Sequence, residues 1–206
     1  MKDYSRRRVG GRRPYKILVI VCEGAKTEQT YFKHYRDRGK NLKIETPNTK
    51  KTDPIGLVKF ARRQIDRYDL NIRSGDQIWC VFDADHNSDQ QISTACQMAS
   101  PDIHIALSNP SFELWYLLHF AYDESRISNT DLAIRLRRHL SEFTKTQDVF
   151  SDLEPRRIDA IRNAKKLNAY HKRRLVILRS TNSNPSTQVY RIVGTIQSMK
   201  DRFAKA

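Results

Sequence analysis

Long apolar runs are missing from this chain. None reaches the roughly 18 consecutive apolar residues that a membrane span requires, and no apolar segment follows the basic residues of MKDYSRRRVGGRRP. With neither an anchor nor a secretory leader in the pattern, the expectation is a soluble, cytoplasmic protein with no membrane partner. Cysteine is also scarce. Cys22, Cys80 and Cys96 form no CxxC pair, which argues against a zinc site or a disulfide framework and suits a reducing compartment. Cys22 and Cys80 lie inside apolar runs, where a free thiol packs as a small hydrophobe. A P-loop is absent too: Gly24-Ala25-Lys26-Thr27 lacks the first glycine and the four-residue spacing, and an acid precedes it. Ser111 has no glycine elbow around it, which argues against a serine hydrolase.

Negative charge is in deficit as well. Lys and Arg number 38 against 23 Asp and Glu, a net +15. The excess is concentrated in two places. Residues 1 to 14 carry six basic side chains and one acid, and residues 155 to 174 carry eight against Asp159 alone; together they hold +12 of the +15. Each phosphate neutralised by such a patch releases condensed counterions, so DNA or RNA is the natural partner. The alternative is a solvated basic face that serves solubility.

What is present is an alternation of strand and helix patterns. At 206 residues the chain fits one domain with an appendage or two small ones. We divide it into a basic arm over 1 to 14, an α/β core over 15 to 109 and a helical region packed on it over 110 to 206. Strands are predicted at 17–22, 42–45, 78–82 and 103–107, and helices at 27–38, 54–68 and 88–98 between them. Asp53 before Pro54 is a helix opening, a capping residue followed by proline at the first helical position. Such βα repetition implies a parallel sheet with right-handed crossovers, and ligands then bind beyond the strands' carboxyl ends where strand order reverses. Further helices are expected at 110–120, 130–140, 155–170 and 185–203, while 175–178 fits either a strand or a buried helix end.

Two of these strands end in carboxylates. Ile17-Leu18-Val19-Ile20-Val21-Cys22 delivers Glu23, and Ile78-Trp79-Cys80-Val81-Phe82 delivers Asp83 and then Asp85. Unalternating apolar runs are buried on both faces, so acids at their ends face a cleft, a cation or water rather than the interior. Mg²⁺ or Mn²⁺ takes oxygen ligands, and Asp83 and Asp85, two apart where a strand frays, can reach one ion with Glu23 beside them. Gly24 would let backbone approach a phosphate. Glu28 reads equally as a helix-start acid and as a site residue. Glu113, almost the only charge in SFELWYLL, either joins the carboxylates or pairs with a buried Arg. His86 follows the DxD as an exposed loop residue; His104 and His119 read as packing residues.

The blocks VCEGAKTEQTYF (21–32), VFDAD (81–85), SNPSFELWYLLHF (108–120) and NPSTQVYRIV (184–193) resemble the signature blocks of RloB-like abortive-infection proteins, a branch of the Toprim superfamily. The resemblance implies a Rossmann-like Toprim core, Mg²⁺-dependent nuclease activity and a role in bacterial defence against phage, often beside an ATPase partner. It also implies Glu23 as the general acid or base and Asp83 and Asp85 as the metal pair, with Glu113 the acid of the third block.

The leading expectation is thus a Mg²⁺-dependent endonuclease on RNA or DNA with Glu23, Asp83, Asp85 and Glu113 as catalytic residues. A non-catalytic nucleic-acid-binding or regulatory subunit of an ATPase-linked complex is the alternative, and a nucleotidyl-transfer or nucleotide-hydrolysing enzyme using the same metal site the third. For nucleic acid the candidates are Arg6, Arg7, Arg8, Arg12 and Arg13 of the arm and Arg162, Lys165, Lys166 and Arg173 of the basic helix. At 100° per residue those four share one broad face, with Ile158, Ile161 and Ala164 expected on another that packs on the core.

Overall fold

A computed structural model describes residues 15–24, 26–36, 41–141, 143–144 and 146–204. The basic arm, with Arg6, Arg7, Arg8, Arg12 and Arg13, lies outside the described residues.

The first half is the expected βα series: β1 (Lys16–Cys22), α1 (Thr27–Lys33), β2 (Leu42–Glu45), α2 (Pro54–Arg67), β3 (Gln77–Asp83), α3 (Asp89–Ala99) and β4 (Ile103–Asn109). Local chemistry sets the helix starts. Asp53 accepts the Gly56 N–H at 2.6 Å ahead of Pro54. At α3, Ser88 and Gln91 form a reciprocal capping box, each accepting a backbone N–H from the other. α1 stops at Lys33, short of the expected 38, as Tyr35 and Arg36 turn back onto the carbonyls of Phe32 and Lys33. The second half adds α4 (Glu113–Leu117), α5 (Asn129–Arg137), α6 (Phe150–Leu153), α7 (Arg157–Arg173), β5 (Ser186–Thr187) and α8 (Val189–Ala204). Among the described residues no helix is long and apolar enough to cross a membrane.

The sheet runs β2-β1-β3-β4-β5, parallel through its first four strands. Strand order reverses between β1 and β3, where the chain goes outward to β2 and then returns across β1. The period of two along each strand divides the core into two layers. Leu18, Ile20, Cys22, Trp79 and Val81 face one cluster, closed by residues of α1, α4, α5, α7 and α8; Val19, Val21, Ile78, Cys80 and Phe82 face the other, closed by α2 and α3.

Three expectations change. A fifth strand, β5, pairs antiparallel to the end of β4, so the last helix begins at Val189 rather than 185. Residues 175–178 form neither strand nor helix: Leu175 has φ of 58° and is 92% exposed, and the segment is a loop leaving α7. On α7 itself the buried face is Ala160, Ala164, Leu167, Asn168 and His171. Ile161 packs partly against the core, but Ile158 is 74% exposed. The reason is angular: Ile158 lies within about 40° of Arg162 and about 20° of Lys165 at 100° per residue, on the basic stripe itself.

Candidate active site

Glu23 follows β1 directly, and its N–H donates to the Val81 carbonyl at 2.9 Å, extending the β1–β3 ladder by one residue. That bond holds Glu23 at the reversal point, and its Oε2 in turn accepts the Asp83 N–H at 3.1 Å. The two strand ends are therefore linked through the acid itself. Burial pushes the Glu23 carboxyl up to about 7, with Glu28, Asp85 and Asp53 adding to the rise and the Asp83 N–H opposing it.

Asp83 is the most frustrated group in the site. Its Oδ1 is buried with no hydrogen-bond partner among the described residues, a costly state for a carboxylate oxygen. Burial first, then the charges of Glu28, Glu113, Asp85 and Glu23, raise its pKa well above the carboxylate range. Four other acids thus act on one. Among the described residues neither Glu23, Asp83 nor Asp85 forms an ion pair with Lys or Arg.

Asp85 sits two residues on, held by Asn129 at the start of α5 and by the Pro110 carbonyl. Asn129 donates to its Oδ2 at 2.7 Å, and the Ser111 hydroxyl donates to Asn129 Oδ1 at 2.7 Å. The Asp85 N–H bonds the Pro110 carbonyl at 3.3 Å. Asn87 braces the turn by donating to the carbonyls of Asp83 and Asp85, at 2.9 and 3.2 Å. Ser111 therefore belongs to a positioning relay, which its sequence context did not reveal. His86, with φ of 60° and its side chain 94% exposed, stands 3.7 Å from Asp85 Oδ2.

Glu28 is the acid that sequence reasoning left undecided. It is buried, and its Oε1 accepts the Gly24 N–H at 3.1 Å. A Cβ at Gly24 would fall 2.0 Å from Glu28 Oε2, so this glycine makes room for a carboxylate of the site; that contact, not phosphate approach, is what the geometry shows. The only signal in the sequence was the four-residue spacing from Gly24 at the start of a helix. Glu113, the first residue of α4, is buried, and its charge acts on both Asp83 and Tyr116.

Carboxylate oxygens are the donors that a hard divalent cation prefers, and the orphaned Asp83 Oδ1 is an atom such an ion would satisfy. In the present geometry, however, no three His, Cys, Asp or Glu side chains among the described residues form a group able to hold a metal. The donor chemistry fits Mg²⁺ or Mn²⁺; a preformed ligand shell is not seen.

Beside Asp85 opens a cavity of about 580 Å³, with Asn109, Arg126, Asn184 and Thr181 in its wall. On α7, Arg162, Lys165, Lys166 and Arg173 are all exposed. Arg162 pairs with Asp159, and Lys166 Nζ lies 3.8 Å from the centre of the Tyr122 ring. His119 is buried, as expected, while His104 is half-buried against Trp79.

An open, mostly parallel α/β sheet with carboxylates gathered at its reversal point is the class that fold and site define. The family model described as RloB-like protein matches residues 18–196, and the chain belongs to that family. Comparison with curated proteins finds no match, and comparison with solved structures finds none either.

Proposed function

We propose that this RloB-like protein is a Toprim-type, Mg²⁺- or Mn²⁺-dependent endonuclease that cleaves RNA or DNA in the cytoplasm as an effector of bacterial defence against phage. The observation that carries the reading is the crowding around Asp83: a buried carboxylate oxygen without a hydrogen-bond partner among the described residues, acted on by the charges of four further acids, at the crevice where α/β sheets bind their ligands. Buried acids of like charge cost stability unless a cation offsets them. Carboxylates whose pKa values are raised by burial and by one another are candidates for a functional site.

When bound by Glu23, Asp83 and Asp85, the cation would supply Lewis acidity and an activated water. The side chains do the rest. Glu23, fixed by the Asp83 N–H, holds or passes the proton at its carboxylate; Asn129 and Ser111 orient Asp85; Glu28 and Glu113 supply the negative field that favours a cation over water. The exposed bases of α7, with those of the arm, would track the phosphate backbone.

A second reading has an observation of its own. Because no three acids among the described residues stand ready as ligands, the site also suits a non-catalytic nucleic-acid-binding or regulatory subunit of an ATPase-linked complex. Incubating the protein with total RNA and with plasmid DNA, with and without Mg²⁺ or Mn²⁺, separates the two. Metal-dependent cleavage of either polymer supports the nuclease. Binding without cleavage, unchanged when a candidate ATPase partner is added, supports the second reading.

A further inference from the structure

The segment Leu175-Val176-Ile177-Leu178 is apolar, yet none of its four residues is buried. Leu175 is 92% exposed and Ile177 73%. Its backbone is nevertheless fixed. The N–H groups of Leu175 and Val176 donate to the carbonyls of Lys172 and His171, both at 3.0 Å, closing α7 in the pattern that calls for a left-handed residue just past the helix end. That residue is Leu175, with φ of 58°, where glycine would carry no steric cost. The Ser180 hydroxyl donates to the Ile177 carbonyl at 2.6 Å, and the Ser183 hydroxyl to that of Leu178 at 2.8 Å. A left-handed leucine and two exposed aliphatic side chains on a tied frame add nothing to the core; they suit contact with another molecule.

The side chains around this loop are basic and aromatic. Lys166, Tyr170 and Arg173, at i, i+4 and i+7, share one face of α7, and Arg174 caps its end. The Arg174 guanidinium lies 5.3 Å from the centre of the Tyr170 ring, and Lys166 Nζ 3.8 Å from that of Tyr122. Both rings are half-buried, held by the protein yet reachable. Glu124 is occupied, accepting the Tyr122 hydroxyl at 2.5 Å. Cations near a helix C-terminus offset its dipole, which accounts for Lys172, Arg173 and Arg174 but for neither the aliphatic pair nor the rings. Single-stranded nucleic acid accounts for all of them: unpaired bases stack on tyrosine and cover aliphatic side chains while their phosphates meet Lys and Arg. In a duplex those base faces are already stacked.

Beyond Leu178 the chain runs to the acidic site. Asn109, at the end of β4, donates to the carbonyls of Ser180 and Thr181, both at 3.0 Å, and Thr181 lines the cavity beside Asp85. A strand laid along the loop is led toward Asp83 and Asp85. That route favours a polynucleotide over an anionic membrane, which the cations and aliphatic side chains would also suit.

We infer that the end of α7 and the loop after it form a docking surface for a single-stranded stretch of polynucleotide. Tyr122, Tyr170, Leu175 and Ile177 receive unpaired bases, and Lys166, Arg173 and Arg174 their phosphates. The inference deepens the nuclease reading and rests on it for the class of partner.

The test is fluorescence anisotropy in EDTA with three labelled probes of equal length, made in RNA and in DNA: a single strand, the same strand paired into a duplex, and an abasic strand with the same phosphates. The wild type should bind the single strand of at least one polymer about tenfold or more tightly than its abasic counterpart, and more tightly than the duplex. Leu175→Gly with Ile177→Ser puts glycine at the left-handed position and touches no cation, so the circular dichroism spectrum is kept. This variant should lose about fivefold or more for the single strand and nothing for the abasic one, with an unchanged slope of log K against log salt. Equal affinity of the wild type for single and abasic strands, or a variant that binds the single strand as the wild type does, overturns the surface. So does sedimentation of the wild type, but not the variant, with vesicles of anionic phospholipid when no base-dependent binding is found, which would assign the loop to a membrane. No metal or cleavage enters these measurements. A protein that binds single strands without cleaving them loses the nuclease reading alone, and one that cleaves without base-dependent binding loses this surface alone.

Discussion

The carboxylate of Glu23 accepts the backbone N–H of Asp83 at 3.1 Å, so the end of β1 and the end of β3 are held together by the same side chain proposed to handle the proton. Sixty residues of sequence separate the two. A single substitution at Glu23 therefore tests geometry and chemistry together.

Glu23→Gln keeps the side chain's shape and leaves an amide oxygen to accept the Asp83 N–H, while removing the charge. Cleavage should fall by at least about 10²-fold, as expected for loss of a general acid or base, with nucleic-acid affinity kept or raised because repulsion is relieved. Rate and affinity are measured on the same substrate. Cleavage at the wild-type rate would remove Glu23 from catalysis.

Gly24→Ala tests Glu28. The added methyl would lie 2.0 Å from Glu28 Oε2, so the carboxylate must leave the Gly24 N–H. Mn²⁺ affinity should drop while the circular dichroism spectrum of the folded protein is retained. Unchanged affinity would separate Glu28 from the cation site.

Much of this site was legible in the sequence. The apolar runs before Glu23 and Asp83 have no alternation, which identifies strands buried on both faces, and the βα order places their ends at the reversal point. Glu28 and the relay from Ser111 through Asn129 to Asp85 were not legible, because they depend on side chains brought together from α1, from the loop between β4 and α4, and from α5. β5 was hidden for another reason. Ser186 and Thr187 are polar and fully buried, and Thr187 pairs through its hydroxyl with Ser108 at 2.9 Å while Gln188 bonds Leu107 through both backbone and side chain; no hydrophobic period announces such a strand. Ile158 misled in the opposite sense, as an apolar residue placed on the solvent face of α7.

That basic face carries its own expectation. Replacing Arg162, Lys165 and Lys166 with Ala should weaken binding across all sequences and reduce the slope of log K against log salt by roughly 2 to 3. A salt series on wild type and variant measures it. An unchanged slope would assign the α7 face to solvent or a protein partner.

His119 sets an acid limit on stability. Its Nδ1 lies 2.8 Å from the Trp115 carbonyl, and Nε2 is buried without a partner among the described residues. Nδ1–H therefore donates and the ring is neutral. Burial lowers its pKa from 6.5 to about 4, against opposing bonds to the Trp115 and Tyr116 backbone and the charge of Asp159. The unfolded chain takes up a proton near pH 6.5 that the folded chain refuses until about pH 4. Stability contributed by the neutral ring is thus present above 6.5 and lost as pH falls toward 4, by up to about 3 kcal/mol. Urea unfolding at pH 7.5 and pH 4.5 should show a loss that His119→Phe reduces. Equal losses in both proteins would contradict the assignment.

The central claim is that the acids around Asp83 form a divalent-cation site. Calorimetric titration of Mn²⁺ into metal-free wild type and into Asp83→Asn with Asp85→Asn tests it without any substrate or partner protein. The account predicts saturable binding to the wild type that the double variant loses by at least about tenfold, a difference of roughly 1.4 kcal/mol or more. Equal Mn²⁺ affinity in the two proteins, or no binding to the wild type, would contradict it.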